Sequence, residues 1–430
     1  MGRIDGTAPA RRRRALIAVT AGAVVFAALA VPGWIARSMQ PASSAAAFPS
    51  EIASYAWWTP PLAGGDIDTA VMAYQNGYGV EFLDTPQAIL LGTDGSTYRR
   101  HAAAESLAGV ADQGDPAESV LSPDGSLLVT AGLDGSGVVT VTTLATGATA
   151  EVPIGEGLDA IPVSIDRTGS VLLTVSESPL SPYLDQDFRL HGRLALLDLE
   201  SGELTEYAAF PDVASAALSP DGSRIAVDSV DGLVVADIDG SDVVDVLPAG
   251  TSVSLDGDAW SPDGSRFAVY GGDGLTVADV SRRDPVVTST GADPALVGSV
   301  IGWRDADTVL LHTTDTSGSN ESAFSWADVS DGRLDTFSTY TPDVTGAALG
   351  GPDVARDLVE TLEARPLPVD RGGGSTLFAL ATGLVVGLVA WLVAPPLLSR
   401  IGGGRRVGLG AESRRRAAHD EAGLQLDARG

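Results

Sequence analysis

The 430-residue sequence contains no cysteine and no lysine. Without cysteine there is no disulfide, no thiol nucleophile, no cysteine metal site and no lipid-bearing N-terminal cysteine, so any part of the chain outside the cell must be held by packing alone. Histidine is scarce as well: His101, His191, His312 and His419 are the only four, and none falls in a paired metal-ligand spacing such as H-E-x-x-H. A histidine-based zinc site is therefore not expected. The G-x-S-x-G turn of serine hydrolases is also missing, which removes the catalytic half of a hydrolase reading. From these absences no catalytic, cofactor-binding or metal-ligating residue is assigned, and the chain is not expected to be an enzyme.

What is present is acid. The formal charge is -29, and all 27 basic residues are arginine, a bias typical of a GC-rich genome such as an actinobacterium's. The charge is uneven. Residues 1–14 hold five arginines and one acid, residues 400–430 hold seven arginines and four acids, and residues 38–374 hold 14 arginines against 51 acids. A middle region of about -37 repels phosphate-rich partners, so nucleic acid is not expected to bind.

Two uncharged runs flank that region. Ala15–Ile35 has 21 residues and Ser375–Leu398 has 24, each enough at about 1.5 Å per residue to cross a hydrocarbon layer of about 30 Å. Arg11–Arg14 precede the first run, and Arg400, Arg405, Arg406 and Arg414–Arg416 follow the second. Positive charge favours the cytoplasmic side, so both termini are expected there and residues 38–374 outside. The first run also suits a signal peptide, with Ala28-Leu29-Ala30 or Ala45-Ala46-Ala47 as cleavage site. Gly383 and Gly387 have the small-xxx-small spacing that allows two membrane helices to approach closely, as in a homodimer.

Between the spans a decapeptide recurs. Leu121-Ser-Pro-Asp-Gly-Ser-Leu-Leu-Val-Thr130, Leu218-Ser-Pro-Asp-Gly-Ser-Arg-Ile-Ala-Val227 and Trp260-Ser-Pro-Asp-Gly-Ser-Arg-Phe-Ala-Val269 share one template, with weaker copies at Ile165–Thr174 and Trp303–His312. Aligned on Gly125, Gly169, Gly222, Gly264 and Asp307, the steps are 44, 53, 42 and 43 residues. Each copy predicts a hairpin, because proline presets φ and glycine accepts the left-handed turn position. A second hairpin follows each first one, as in Leu233–Gly240 and Leu275–Ser281. Two hairpins per period make a four-stranded blade.

The region resembles the WD40-like or TolB-type β-propeller repeats, whose signature is an aromatic or apolar residue, Ser-Pro-Asp-Gly and a short strand. The resemblance covers roughly 270 residues and implies fold, not activity. The expected fold class is all-β: a six-bladed propeller, seven-bladed as the alternative, flanked by two transmembrane helices. The expected divisions are 1–14 cytoplasmic, 15–37 membrane helix or signal anchor, 38–66 linker and ring-closing strand, 67–340 propeller, 341–374 short helix and linker, 375–398 membrane helix and 399–430 basic tail. Ser178–Leu190 is expected as an insertion, residues 48–66 as the strand closing the ring on the last blade, and Pro352–Glu363 as a short helix from the spacing of Val354, Leu358, Val359 and Leu362.

The acidic turns Asp237–Asp242 and Asp256–Asp258 could supply calcium ligands, but neither has a full twelve-residue loop, and turn formation explains them more simply. The function expected is a membrane-anchored extracytoplasmic module that binds an envelope protein or a small ligand. The alternatives are a carboxylate-based lyase or glycosidase, which a channel of clustered, shielded Asp, Arg and His would favour, and an envelope assembly factor.

Overall fold

The computed structural model describes residues 46–372 apart from 78–85, 108–114, 178–179, 181–191 and a few single positions; beyond that range it describes only 19, 20, 23, 380–386 and 388–389. The chain divides into two compact units, Ile35–Gly372 and the remainder. Ile35–Gly372 holds six sheets, five of four antiparallel strands and one of four antiparallel strands with a fifth added in parallel. Their innermost strands are Leu349–Val354, Ser119–Leu121, Asp159–Ile165, Val213–Leu218, Val253–Ser254 and Leu296–Trp303, here taken as blades one to six. Innermost strands contact one another from blade one to blade four and from blade five to blade six, and that of blade six meets that of blade one. The unit is a six-bladed β-propeller.

Why these strands form blades follows from their two-sided burial. Successive side chains of a strand point to opposite faces, and here both faces are covered. Leu173 packs with Val129 of blade two, whereas its neighbour Leu172 packs with Val213 and Ile225 of blade four. Ala216 and Leu218 face blade three while Ala217 faces blade five. The core is thus six apolar layers between consecutive blades rather than one central mass, and each fully buried leucine adds about 1.5–3 kcal/mol.

The repeated turns are built from their own side chains. In blade four, Ser219 Oγ accepts from the Arg224 amide at 2.9 Å and donates to Asp221 at 2.7 Å, and Asp221 accepts from the Ser223 amide at 3.1 Å. Ser122 and Ser261 repeat this in blades two and five. Where the motif reads Asp-Arg-Thr-Gly, the carboxylate of Asp166 takes the amides of Thr168 and Ser170.

Closure of the ring differs from expectation. Glu51–Ile52 does join the last blade, as a fifth strand parallel to Leu334–Tyr340. The ring itself, however, is closed by Leu349–Val354, which pairs antiparallel with Ala70–Asn76 as the innermost strand of blade one. The helix expected from Pro352 to Glu363 shrinks to Arg356–Val359. Blade one has no other inner strand, and that pairing outweighs a local helical pattern; Pro352, which cannot donate, sits where the register shifts between Gly350 and Asp353.

The expected linker from Arg365 to Gly374 is also partly structural. Glu363–Arg365 pairs parallel with Ala47–Pro49, and the Asp370 amide donates to Ser96 O at 2.7 Å. The expected spans 15–37 and 375–398 fall largely outside the described residues, as do His191, His419, Gly387 and all of Ser178–Leu190 except Leu180. Among the described residues no helix is long and apolar enough to cross a membrane. Residues 380–386 and 388–389, with Gly383 among them, are helical.

Candidate functional site

The innermost strands surround a cavity of about 170 Å³ at the centre of the ring, lined by parts of blades one to five. Four acids line it: the exposed Glu118, and three that gather together, Asp256 and Asp258, which follow the short inner strand of blade five, and Asp353 on the closing strand. Asp256 and Asp258 come from the acidic turn read in the sequence as a calcium candidate. Asp353 is brought to them only by closure of the ring.

Each carboxylate is held by a different neighbour. Asp353 Oδ2 accepts from the Leu121 amide at 2.5 Å, and its carboxyl lies within hydrogen-bonding reach of that of Asp258. Asp258 Oδ1 in turn faces Arg356 Nη1 at 3.4 Å. Arg356 Nη2 donates to Ile165 O at 3.0 Å, and its buried Nε has no hydrogen-bond partner. The one-turn helix Arg356–Val359 carries this arginine and is fixed from outside by Arg167, whose Nε donates to Asp357 at 2.9 Å. Ser164 joins three blades, donating to Gly257 O at 3.0 Å and accepting from the Leu218 amide at 3.1 Å.

Gathering three acids in a largely enclosed space raises their proton affinity. Burial pushes Asp256 up to about 7, with the charge of Asp258 as the next cause. Burial raises Asp258 as well, against the pull of Arg356. Asp353 is raised well above the carboxylate range, by burial first and then by Asp258 and Asp256. The cluster therefore retains protons near neutral pH, and its three acids against one guanidinium favour a ligand that brings positive charge or hydrogen-bond donors.

The other sequence candidates are not part of this cluster. His101 caps the helix Ala102–Ser106, taking the Ala104 amide on Nδ1 and meeting Thr142 Oγ1 at 2.8 Å. His312 lies buried against Phe324. Burial lowers both to about 4. The Asp237–Asp242 segment is a closed turn in which Asp239 accepts from the Ser241 amide. Among the described residues no group of three or more His, Asp or Glu is arranged to hold a metal ion. Sequence reading missed Asp353 and Arg356 because both fell in a segment read as helix. The signal that could have found them is the lack of an inner strand before Ala70.

No family model matches the chain, and no curated protein matches it significantly. Solved structures do resemble it. TolB from Acinetobacter baumannii is 19% identical with a TM-score of 0.43, over 68% of each chain. An oligogalacturonate lyase in complex with manganese is 18% identical with a TM-score of 0.42, over 64% of this chain and 77% of that one. The β-propeller domain of Cps50 (Swd1) from Myceliophteria thermophila is 14% identical with a TM-score of 0.35, over 53% and 71%. The likeness is one of fold. What the propeller binds must come from its own residues.

Proposed function

We propose that the chain is a membrane-anchored, extracytoplasmic binding module whose propeller takes a protein segment or small ligand carrying a cationic group into the central cavity. The observation that carries this reading is the meeting of Asp256, Asp258 and Asp353 at a 170 Å³ cavity, where among the described residues only Asp258 has a guanidinium, that of Arg356, as partner. Holding these acids together disfavours their charged forms, and a bound cation would offset that. Anchoring is supported by the two uncharged runs and their arginine flanks, and by the exposed side chains of Leu380, Leu384, Val385, Leu388 and Val389 in the helical residues before position 390.

The test is thermal unfolding of the full chain in lipid nanodiscs with diamines, arginine-rich peptides and neutral or anionic controls. Stabilisation by the cations that is lost in Asp256→Asn supports the reading. Equal response of wild type and variant overturns it.

One observation favours the enzyme alternative. Asp256, pushed up to about 7 beside other carboxylates, is poised to exchange a proton at neutral pH, the property of a general acid or base. Among the described residues no histidine joins the cluster, so a lyase or glycosidase would work through carboxylates and Arg356. Recovery of a bound ligand in chemically altered form would favour this reading over simple binding.

A further inference from the structure

Exposed apolar side chains on the propeller are mostly scattered: Val230, Val243, Val286, Val287, Val297 and Leu334. Scattered valines need no explanation. Trp57 is different. It is 62% exposed and the only aromatic among the large apolar residues exposed in the described chain. Its ring meets that of Trp58 edge-on, with centroids 5.6 Å apart.

The position of this tryptophan is fixed by the residue at which the chain leaves the propeller. Arg371 donates through Nη2 to Ser54 O at 2.7 Å and through Nε to Thr59 Oγ1 at 3.1 Å, so one guanidinium ties down both sides of Trp57. The backbone beside Arg371 is fixed too, since the Tyr98 amide donates to Asp370 O at 2.9 Å. After Gly372 only Gly373 and Gly374 precede Ser375, where the uncharged run begins. Three residues reach at most about 11 Å, and the headgroup layer on each side of a bilayer is about 5–7 Å thick.

We infer that Trp57, at the exposed tip of the segment Ser54–Pro61, is a lipid-contacting residue that rests in the headgroup layer of the bilayer and sets the edge at which the propeller meets the membrane. An indole with an apolar body and one N–H donor suits that layer. The inference rests on the proposed membrane anchoring and specifies where the ectodomain touches the lipid.

Because the chain has no cysteine, one introduced thiol can be labelled uniquely. Three full-length variants, Trp57→Cys, Asp245→Cys and Leu384→Cys, carry an environment-sensitive fluorophore in phosphatidylcholine nanodiscs with spin-labelled lipid. Asp245 lies exposed on the outer strand of blade four, across the ring from blade one. The label at 57 is expected to lose most of its emission to a headgroup quencher while that at 245 keeps its own, and the label at 384 responds to an acyl-chain quencher. If 384 is quenched and 57 is not, the inference fails and anchoring stands. If 57 and 245 are quenched alike, contact is unspecific and the inference fails. If 384 is untouched, anchoring itself fails and the inference falls with it.

Discussion

The guanidinium of Arg224 in blade four lies 5.1 Å from the centroid of the Trp260 ring in blade five. The contact is reciprocal. Trp260 Nε1 donates back to Ala217 O of blade four at 3.0 Å, while Arg224 donates to Val280 O at 3.0 Å and to Gly264 O. Arg266 and Trp303 repeat the arrangement between blades five and six, with the indole on Ala259 O at 2.7 Å. Each clasp combines a cation over a ring with hydrogen bonds to backbone carbonyls of the neighbouring blade.

Arg224→Ala is expected to cost about 1–3 kcal/mol, since it removes both the ring contact and two hydrogen bonds. Arg224→Lys should restore only part of that, because an ammonium cannot cover the indole and reach two carbonyls together. Urea unfolding of the two variants in the full chain measures both.

Two turn glycines separate conformational strain from collision. Gly125 and Gly264 have φ of 73° and 66°, so alanine is strained at either by about 1 kcal/mol. A Cβ at Gly264 would meet nothing nearer than 3.8 Å, but at Gly125 it would lie 2.1 Å from Ala70 O. Gly125→Ala should therefore unfold at clearly lower urea than Gly264→Ala, which calorimetry can check independently.

Asp353→Asn preserves an acceptor for the Leu121 amide and supplies an N–H for Asp258, without a proton to lose. It should be tolerated. Asp258→Asn leaves the buried guanidinium of Arg356 without its charge partner and is expected to cost about 1–3 kcal/mol. Equal losses in the two variants would contradict this account of the cluster.

The pH profile follows from the same groups. Asp256, Asp258 and Asp353 bind protons more tightly folded than unfolded, so their contribution is fullest below the ordinary value of 3.8 and is lost as pH rises, through about 7 for Asp256. His101 and His312, lowered to about 4, contribute above the ordinary 6.5 and lose that contribution as pH falls towards 4. The two sets oppose each other between these limits. Melting temperature measured from pH 4 to 8 should fall less towards high pH in Asp256→Asn than in wild type.

How much of this was legible depends on range. Ser219, Asp221 and Gly222 bond within the same turn, so the blade period and the hairpins could be read by spacing alone. Arg224 and Trp260 also showed in the repeat, as positions of successive copies. Asp353 reaches Leu121 across 232 residues, and Arg356 reaches Asp258 across 98. Those meetings depend on which strand closes the ring. Around Val354 the local spacing of apolar residues pointed to a helix, whereas the empty place beside Ala70–Asn76 required a strand.

The closing strand also sets a schedule. Blade one begins at Ala70, yet its inner neighbour ends at Val354, 284 residues later. At about 5–20 residues per second, a ribosome needs tens of seconds to supply it. During that interval the edge of Ala70–Asn76 stands unpaired, the aspartates of blade five have no Asp353 beside them, and five blades wait on the last. Whatever receives this chain as it emerges must keep that edge from pairing elsewhere until the end of the domain arrives.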